Sequence, residues 1–370
     1  MPTAGSDQVR RRLALAGATL ERRTEGGKSL WSLRLPRSGS PALQVEAPGG
    51  PTAPPPQIAR ILAAFVRGDE LDDGTAAPED DLVHAPPDDA SDSGAWFQHM
   101  LAEQYAEVLR HDPGVRLALE PEDLHRLRVA VRRTRALLRA ARPVIDTSWS
   151  EPLRNELRWF GGVLGPRRDL DVLLENLRSA IAELDEPERS HATTLLDSLD
   201  SERRAAQTQV AEALASDRYM QLLDALEDAC RDPRLAGDVS LKDLAGREFK
   251  RLRKAMDDLG DDPSDEALHE ARILGKRARY TAELAEGEVG KKAERFVGAA
   301  KDFQDVLGAH QDTIVAEARL RELLANASGT GAAFAAGRLV ERERQRRQEA
   351  REALPDVWKE LERRGERAWS

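Results

Sequence analysis

Counting forward from His125, the sequence places Arg128, Arg132, Arg135 and Arg139 at +3, +7, +10 and +14. At 100° per residue these five side chains fall within an arc of about 80° and form one row about 21 Å long. Arg128 with Arg132, and Arg132 with Arg135, are like-charge neighbours at i,i+4 and i,i+3, and none of the three has an acid three or four residues away. Each such pairing costs about 0.2–0.5 kcal/mol on an isolated helix. Arg126, off the row, has Glu122 and Asp123 in reach, as solvated charges usually do. The row borders the apolar stripe of Leu124, Leu127, Val131 and Leu138, which sets the bases at the edge of a core. Guanidinium forks grip phosphate oxygens bidentately and an imidazole adds a donor, so the chemistry is recognition of a highly charged anion. The plainer reading is a charged helix face neutralised by acids from neighbouring helices.

Repetition of the pattern favours the anion. LHRLRVAVRRTR (124–135) and LHEARILGKRAR (268–279) agree at five of twelve positions, so His269, Arg272, Lys276 and Arg279 repeat the row. LGPRRDLDV (164–172) and LGAHQDTIV (307–315) agree at four of nine, and the offsets of 144 and 143 residues describe one duplication. Arg158 matches Lys301, Arg167 matches His310, and Arg168 matches Gln311, each of the last two pairs lying just before Asp169 or Asp312. Those aspartates are expected to N-cap a following helix, with Arg168 as a base at the edge of a site. Lys250, with Arg247, Arg251 and Lys254, opens the second repeat and joins the candidates. Two such rows facing a common axis would make a cationic channel for a long polyanion, a phosphate polymer above all.

Other chemistries lack their residues. Cys230 is the single cysteine, so a disulfide framework and a cysteine zinc site are both excluded. The seven histidines include no His-x3-His or His-Glu-x-x-His pair, Gly161-Gly162 is not a phosphate loop, and no Ser has a nucleophile's context. No catalytic residue, metal site or cofactor is expected. His84, His99, His111 and His191 read as surface or cap residues.

The elements that must carry the rows are helical. Of 370 residues, 40% are hydrophobic, 33% charged and only 4% aromatic, a mixture that excludes an all-β chain and is poor in rings for stacking nucleobases. Amphipathic segments are predicted near 122–142, 150–163, 170–184, 188–214, 217–230, 240–258, 265–284, 291–308, 312–325, 332–352 and 356–367, after a first helix from Ala95 that Asp112-Pro113-Gly114 should stop. Residues 1–67 differ: two or three short strands are expected, then one Pro-led helix from Pro54. Between the two parts, residues 69–92 hold ten acids and no Lys or Arg, and outside this segment acids and bases balance at 56 each although the formal net charge is −10. That stretch reads as a flexible acidic linker, able in principle to compete for the basic rows. No apolar run long enough for a membrane span is present, so a cytoplasmic protein is expected.

HRLRVAVRRTR with LRWFGGVLGPRRDLDV, followed by HEARILGKRARY with FQDVLGAHQD, resembles the CHAD family, the conserved histidine α-helical domain, over roughly residues 95–367. The resemblance implies a mainly α fold of two pseudo-symmetric helical bundles enclosing a basic central pore, with segments 93–235 and 236–370. It also implies non-catalytic binding of inorganic polyphosphate, with polyphosphate granules as a destination, through His125, Arg128, Arg132, Arg135, Arg158, His269, Arg272, Lys276, Arg279 and Lys301. Residues 1–68 are similar to the middle strands of a CYTH domain, a triphosphate tunnel fold, but lack its Glu-x-Glu-x-Lys strand. Glu21, Arg22, Arg23, Lys28 and Arg34 would be what remains of its polyanion contacts, in a small α+β remnant. The alternatives are a residual triphosphatase or polyphosphate hydrolase and a nucleic-acid binder, the latter disfavoured by the scarcity of aromatics.

Overall fold

The computed structural model describes residues 4–25, 28–69, 92–186, 188–194, 196–233, 240–325 and 330–370. It is mainly helical, with a small antiparallel sheet near the N-terminus. Helix α1 (Ala4–Leu15) leads into strands β1 (Thr19–Glu25), β2 (Lys28–Arg37) and β3 (Ser40–Gly49), ordered β1-β2-β3, and then into α2 (Pro56–Ile61) and α3 (Ala63–Val66). The three strands and the Pro-led helical turn were legible; α1 was not. Alternation along β2 buries Trp31, Leu33 and Leu35 on one face. Arg22 and Ala47 flank Trp31 on the neighbouring strands. The expected linker lies outside the described residues except at its ends, where Asp69 pairs with Arg12 and Asp92 caps the next helix.

The helical region comprises α4 (Ser93–Arg116), α5 (Pro121–Ala140), α6 (Thr147–Ala182), α7 (Glu188–Thr194), α8 (Leu196–Leu214), α9 (Asp217–Arg231), α10 (Leu241–Asp257), α11 (Asp265–Leu284), α12 (Glu286–Val289), α13 (Lys291–Ala325) and α14 (Thr330–Trp369). The chain divides into two compact units, one of Met1–Arg168 with Gln207–Ala236 and one of Asp169–Ala206 with Gly237–Ser370. No described helix is long and apolar enough to cross a membrane.

Several expected breaks fall inside helices. Asp112-Pro113-Gly114 does not stop α4, because the carboxylate of Asp112 holds the turn from both sides: Tyr219 Oη donates to it at 2.8 Å and Arg116 pairs with it. Gly114 is there for space, since a Cβ at that position would lie 2.1 Å from Asp123 Oδ2. Pro166 lies within α6 and Pro355 within α14, each removing one backbone donor from a helix whose neighbouring residues, Leu164 and Leu354 among them, are buried. Asp169 and Asp312 are therefore interior residues of α6 and α13 and cap nothing.

In the first unit the N-terminal segment is fastened by a buried carboxylate. Glu227 on α9 accepts from Arg12 Nε at 2.7 Å, from Tyr105 Oη at 3.1 Å, and from Arg67, which closes α3 in a left-handed conformation (φ 47°). Burial works against the ionised Glu227, but Arg67, Arg12 and Arg231 outweigh it and hold its pKa below the usual range. A second buried network lies at the start of α5. Asp123 accepts from Arg37 Nη1 at 2.6 Å and lies 2.9 Å from His111 Nδ1, and Glu107 takes Arg110 and the hydroxyl of Ser38. His111, expected at the surface, is fully buried between two acids. The turn between β2 and β3, with Gly39 at φ 76°, thus clamps the helix that carries the first basic row.

In the second unit the core is aromatic at one end. Phe249 and Phe296 meet edge to face at 5.5 Å, and Trp369 meets Phe296 at 5.3 Å. Gly275 permits the approach of α11 to α13, since a Cβ there would lie 2.7 Å from Phe303. A separate cluster joins Leu174, Leu177 and Leu199 to Leu320, Ala335 and Leu339.

Candidate functional site

Helix α5 starts at Pro121, with Glu122 and Asp123 in its first turn, which suits the positive end of the helix dipole. Its row runs antiparallel to α6. Arg168 acts on His125 at one end, Arg128 Nη1 donates to Gly161 O at 3.3 Å in the middle, and Arg158 and Arg154 act on Arg135 further along. Arg132, Arg139 and Arg158 are exposed, while His125, Arg128, Arg135 and Arg168 are half-buried. Partial burial, then Arg158, Arg154, Arg128 and Arg132, all pull the pKa of Arg135 down. Every charged neighbour acting strongly on Arg135 is another guanidinium. His125 is likewise pushed down, by burial first and then Arg168, against a weaker pull from Glu122, so its ring is neutral at pH 7.

Arg154 was missed in the sequence although it stands one turn before Arg158 on α6, the same i,i+4 like-charge signature that marked the row on α5. It pairs with Glu151.

In the second unit α11 is capped by Ser264, whose hydroxyl accepts from Ala267 N at 3.2 Å. His269 Nδ1 lies 2.9 Å from Gln311 Oε1. Gln304 Nε2 donates to Gly275 O at 3.2 Å, which again makes the two helices antiparallel. Gln311, which meets His269, stands where the first repeat has Arg168, whose charge acts on His125. Arg272, Lys276 and Arg279 are half-buried, whereas Lys301 and Lys250 are exposed on α13 and α10. The second row differs in its charges. Arg279 Nε lies 3.5 Å from Glu283, and Arg272 and Lys276 both act on the carboxylate of Asp312.

His310 does not belong with the row. It is 2% exposed, and its Nε2 lies 3.2 Å from Asp265 Oδ1. Burial, with Arg351 and Arg347 of α14 adding to it, outweighs Asp265 and lowers its pKa. Successive helical side chains point 100° apart, so turning Gln311 toward His269 turns His310 inward.

The N-terminal candidates do not form a comparable row. Arg23 pairs with Glu21 at 3.1 Å, Arg22 Nη1 lies 3.5 Å from Ser29 Oγ, and Lys28 and Arg34 are exposed on β2. Among the described residues no three His, Cys, Asp or Glu gather at metal-binding distance. A cavity of 490 Å³ in the first unit opens on another face of α5, lined by Arg110, Arg126 and Arg133, and Arg110 and Arg126 are already paired with Glu107 and Glu122.

This arrangement of helices has counterparts elsewhere. The CHAD domain matches residues 99–321, across both basic rows. The chain belongs to the CHAD domain family. The resemblance read from the two His-headed rows is thereby borne out, while residues 1–68 lie outside the matched region. Two uncharacterized proteins of Mycobacterium tuberculosis, MT2285 and Rv2226, are each 31% identical over 333 residues, which is 86% of this chain and 60% of theirs. The chain thus spans about 60% of the length of these curated relatives. PptA from Streptomyces chartreusis is similar in structure at a TM-score of 0.59 and 26% identity, over 71% of this chain and 98% of that one. The CHAD domain from the plant Ricinus communis superposes at 0.58 and 27% identity, over 70% of this chain and 89% of its own.

Proposed function

We propose that the protein binds inorganic polyphosphate on the basic rows of its two repeats and does not hydrolyse it. Membership of the CHAD domain family supports the reading, and so does the resemblance that first suggested this ligand. The observation that carries it is the environment of Arg135. Packing Arg128, Arg132, Arg154 and Arg158 around one half-buried guanidinium is unfavourable without an anion and favourable with one. A chain of phosphates presents charge along a line, as the row on α5 does, and each phosphate accepts a guanidinium fork. Recruitment to polyphosphate granules would follow from such binding.

The test is titration of the full chain with polyphosphate across salt concentrations, with single-stranded RNA as competitor. By analogy with single-stranded nucleic acid, log affinity should fall by ~0.7 per neutralised phosphate for each unit of log salt, so six to ten contacts imply a slope of about −4 to −7. A slope near −1, or displacement by RNA at equal phosphate concentration, would overturn the reading.

A further inference from the structure

The duplicated rows have diverged in charge, and always in the same direction. At equivalent positions of the repeat, Arg132 becomes Lys276, Arg139 becomes Glu283, Arg154 becomes Val297, Arg158 becomes Lys301 and Arg168 becomes Gln311. None of these changes adds positive charge to the second row: all five remove a guanidinium, and three remove the positive charge with it. The matched arginines Arg135 and Arg279 feel the result. The first is ringed by guanidinia; the second lies 3.5 Å from Glu283 and over the ring of Tyr280 at 4.7 Å.

Glu283 carries the divergence further. It stands where the first row has Arg139, and it lies 3.5 Å from Arg279. Asp312, by contrast, is common to both repeats, since Asp169 holds the equivalent position. A phosphate approaching Arg279 meets a carboxylate already there.

We propose that the two repeats are unequal partners for the polyanion: the row on α5 and α6 is the principal anchor, and the row on α11 and α13 is held weak by Glu283 and by the arginines it lacks. The second row is then the adjustable one, with Glu283 as the residue that sets its strength. This rests on the polyphosphate reading above.

Full-length Arg135→Gln and Arg279→Gln remove the same group at equivalent positions and can be compared directly by titration with long-chain polyphosphate at low salt. Arg135→Gln should lose about ten-fold in affinity, the scale of a charged hydrogen-bonding group removed, and Arg279→Gln several-fold less. Glu283→Gln should tighten binding by about three- to five-fold, the effect of one like charge removed beside the row. A misfolded variant cannot produce that gain. Equal losses in the two arginine variants, or weaker binding by Glu283→Gln, would overturn the inference while wild-type binding left the polyphosphate reading intact. A wild type that bound no polyphosphate would overturn both.

Discussion

His125 heads the row yet is neutral at pH 7, because burial and Arg168 disfavour its proton. A phosphate laid beside it would reverse that preference by supplying negative charge, so binding should take up a proton. The sign follows: the free ring has its pKa below 6.5 and the bound ring a higher one, so affinity should rise as pH falls through this interval. Calorimetry in buffers of different ionisation enthalpy would measure the proton taken up, and His125→Gln should abolish it. Arg132→Glu should weaken binding strongly with no change in helical circular dichroism. The identity of the row was legible because its residues share one helix, whose periodicity can be counted. Arg154, His310 and Asp312 were not placed correctly, because their roles depend on which face of α6 or α13 meets its neighbour. That face is fixed by packing between helices rather than by spacing within one.

Helix boundaries show the same limit at the next scale. The start of α11 at Asp265 was read correctly from periodicity, and the structure fixes it locally, with Ser264 capping an acidic first turn. The stop at Asp112-Pro113-Gly114 failed because Tyr219, on a helix 107 residues away in sequence, supplies a hydrogen bond to Asp112. Gly114→Ala should therefore be far more damaging than a helix propensity scale suggests, where alanine is the better residue. The new methyl group would collide with Asp123, and a loss of about 3 kcal/mol or more is expected in denaturant unfolding. The same clamp predicts a pH profile. Burial lowers the pKa of His111, but Asp123 and Glu107 outweigh it and raise the value above 6.5, so the stabilisation it gives is complete below pH 6.5 and is lost as pH rises through the raised value. Burial opposes the ionised Glu107, but its hydrogen bonds from His111, Arg110 and Ser38 lower its pKa to about 2, so its contribution holds above 4.5 and is lost as pH falls toward 2. The melting temperature should decline as pH rises above 6.5 in the wild type, and His111→Asn should flatten that decline.

At the scale of the whole molecule, the duplication and the unlike composition of the N-terminal part could be read without contacts, but the division of the chain at Arg168 and Ala206 could not. Neither could the attachment of that part, for it depends on Arg12 and Arg67 meeting Glu227 across most of the first unit's sequence. Removing residues 1–69 should leave Tyr105 without its guanidinium partner and Glu227 with the guanidinium of Arg231 alone. Such a truncation is expected to lose several kcal/mol and to aggregate, whereas Glu227→Gln in the full chain should lower the melting temperature with less exposure of apolar surface. Light scattering alongside thermal unfolding separates the two.

The pairing of Arg67 with Glu227 also has a consequence in time. The two residues are 160 positions apart, and the first unit includes Gln207–Ala236, made only after the chain has passed through Asp169–Ala206 of the second. At the usual rate of synthesis, roughly 8–30 s separate the appearance of the arginine from that of the carboxylate that neutralises it. Until then a growing chain would have to bury Arg12 and Arg67 together with Asp69 as their one partner of opposite charge made by that point. The unit therefore cannot close in the order in which it is made. Nascent chains arrested before residue 227 should be cut readily by protease between the strands and α5, and those arrested after the segment has cleared the ribosome should resist it.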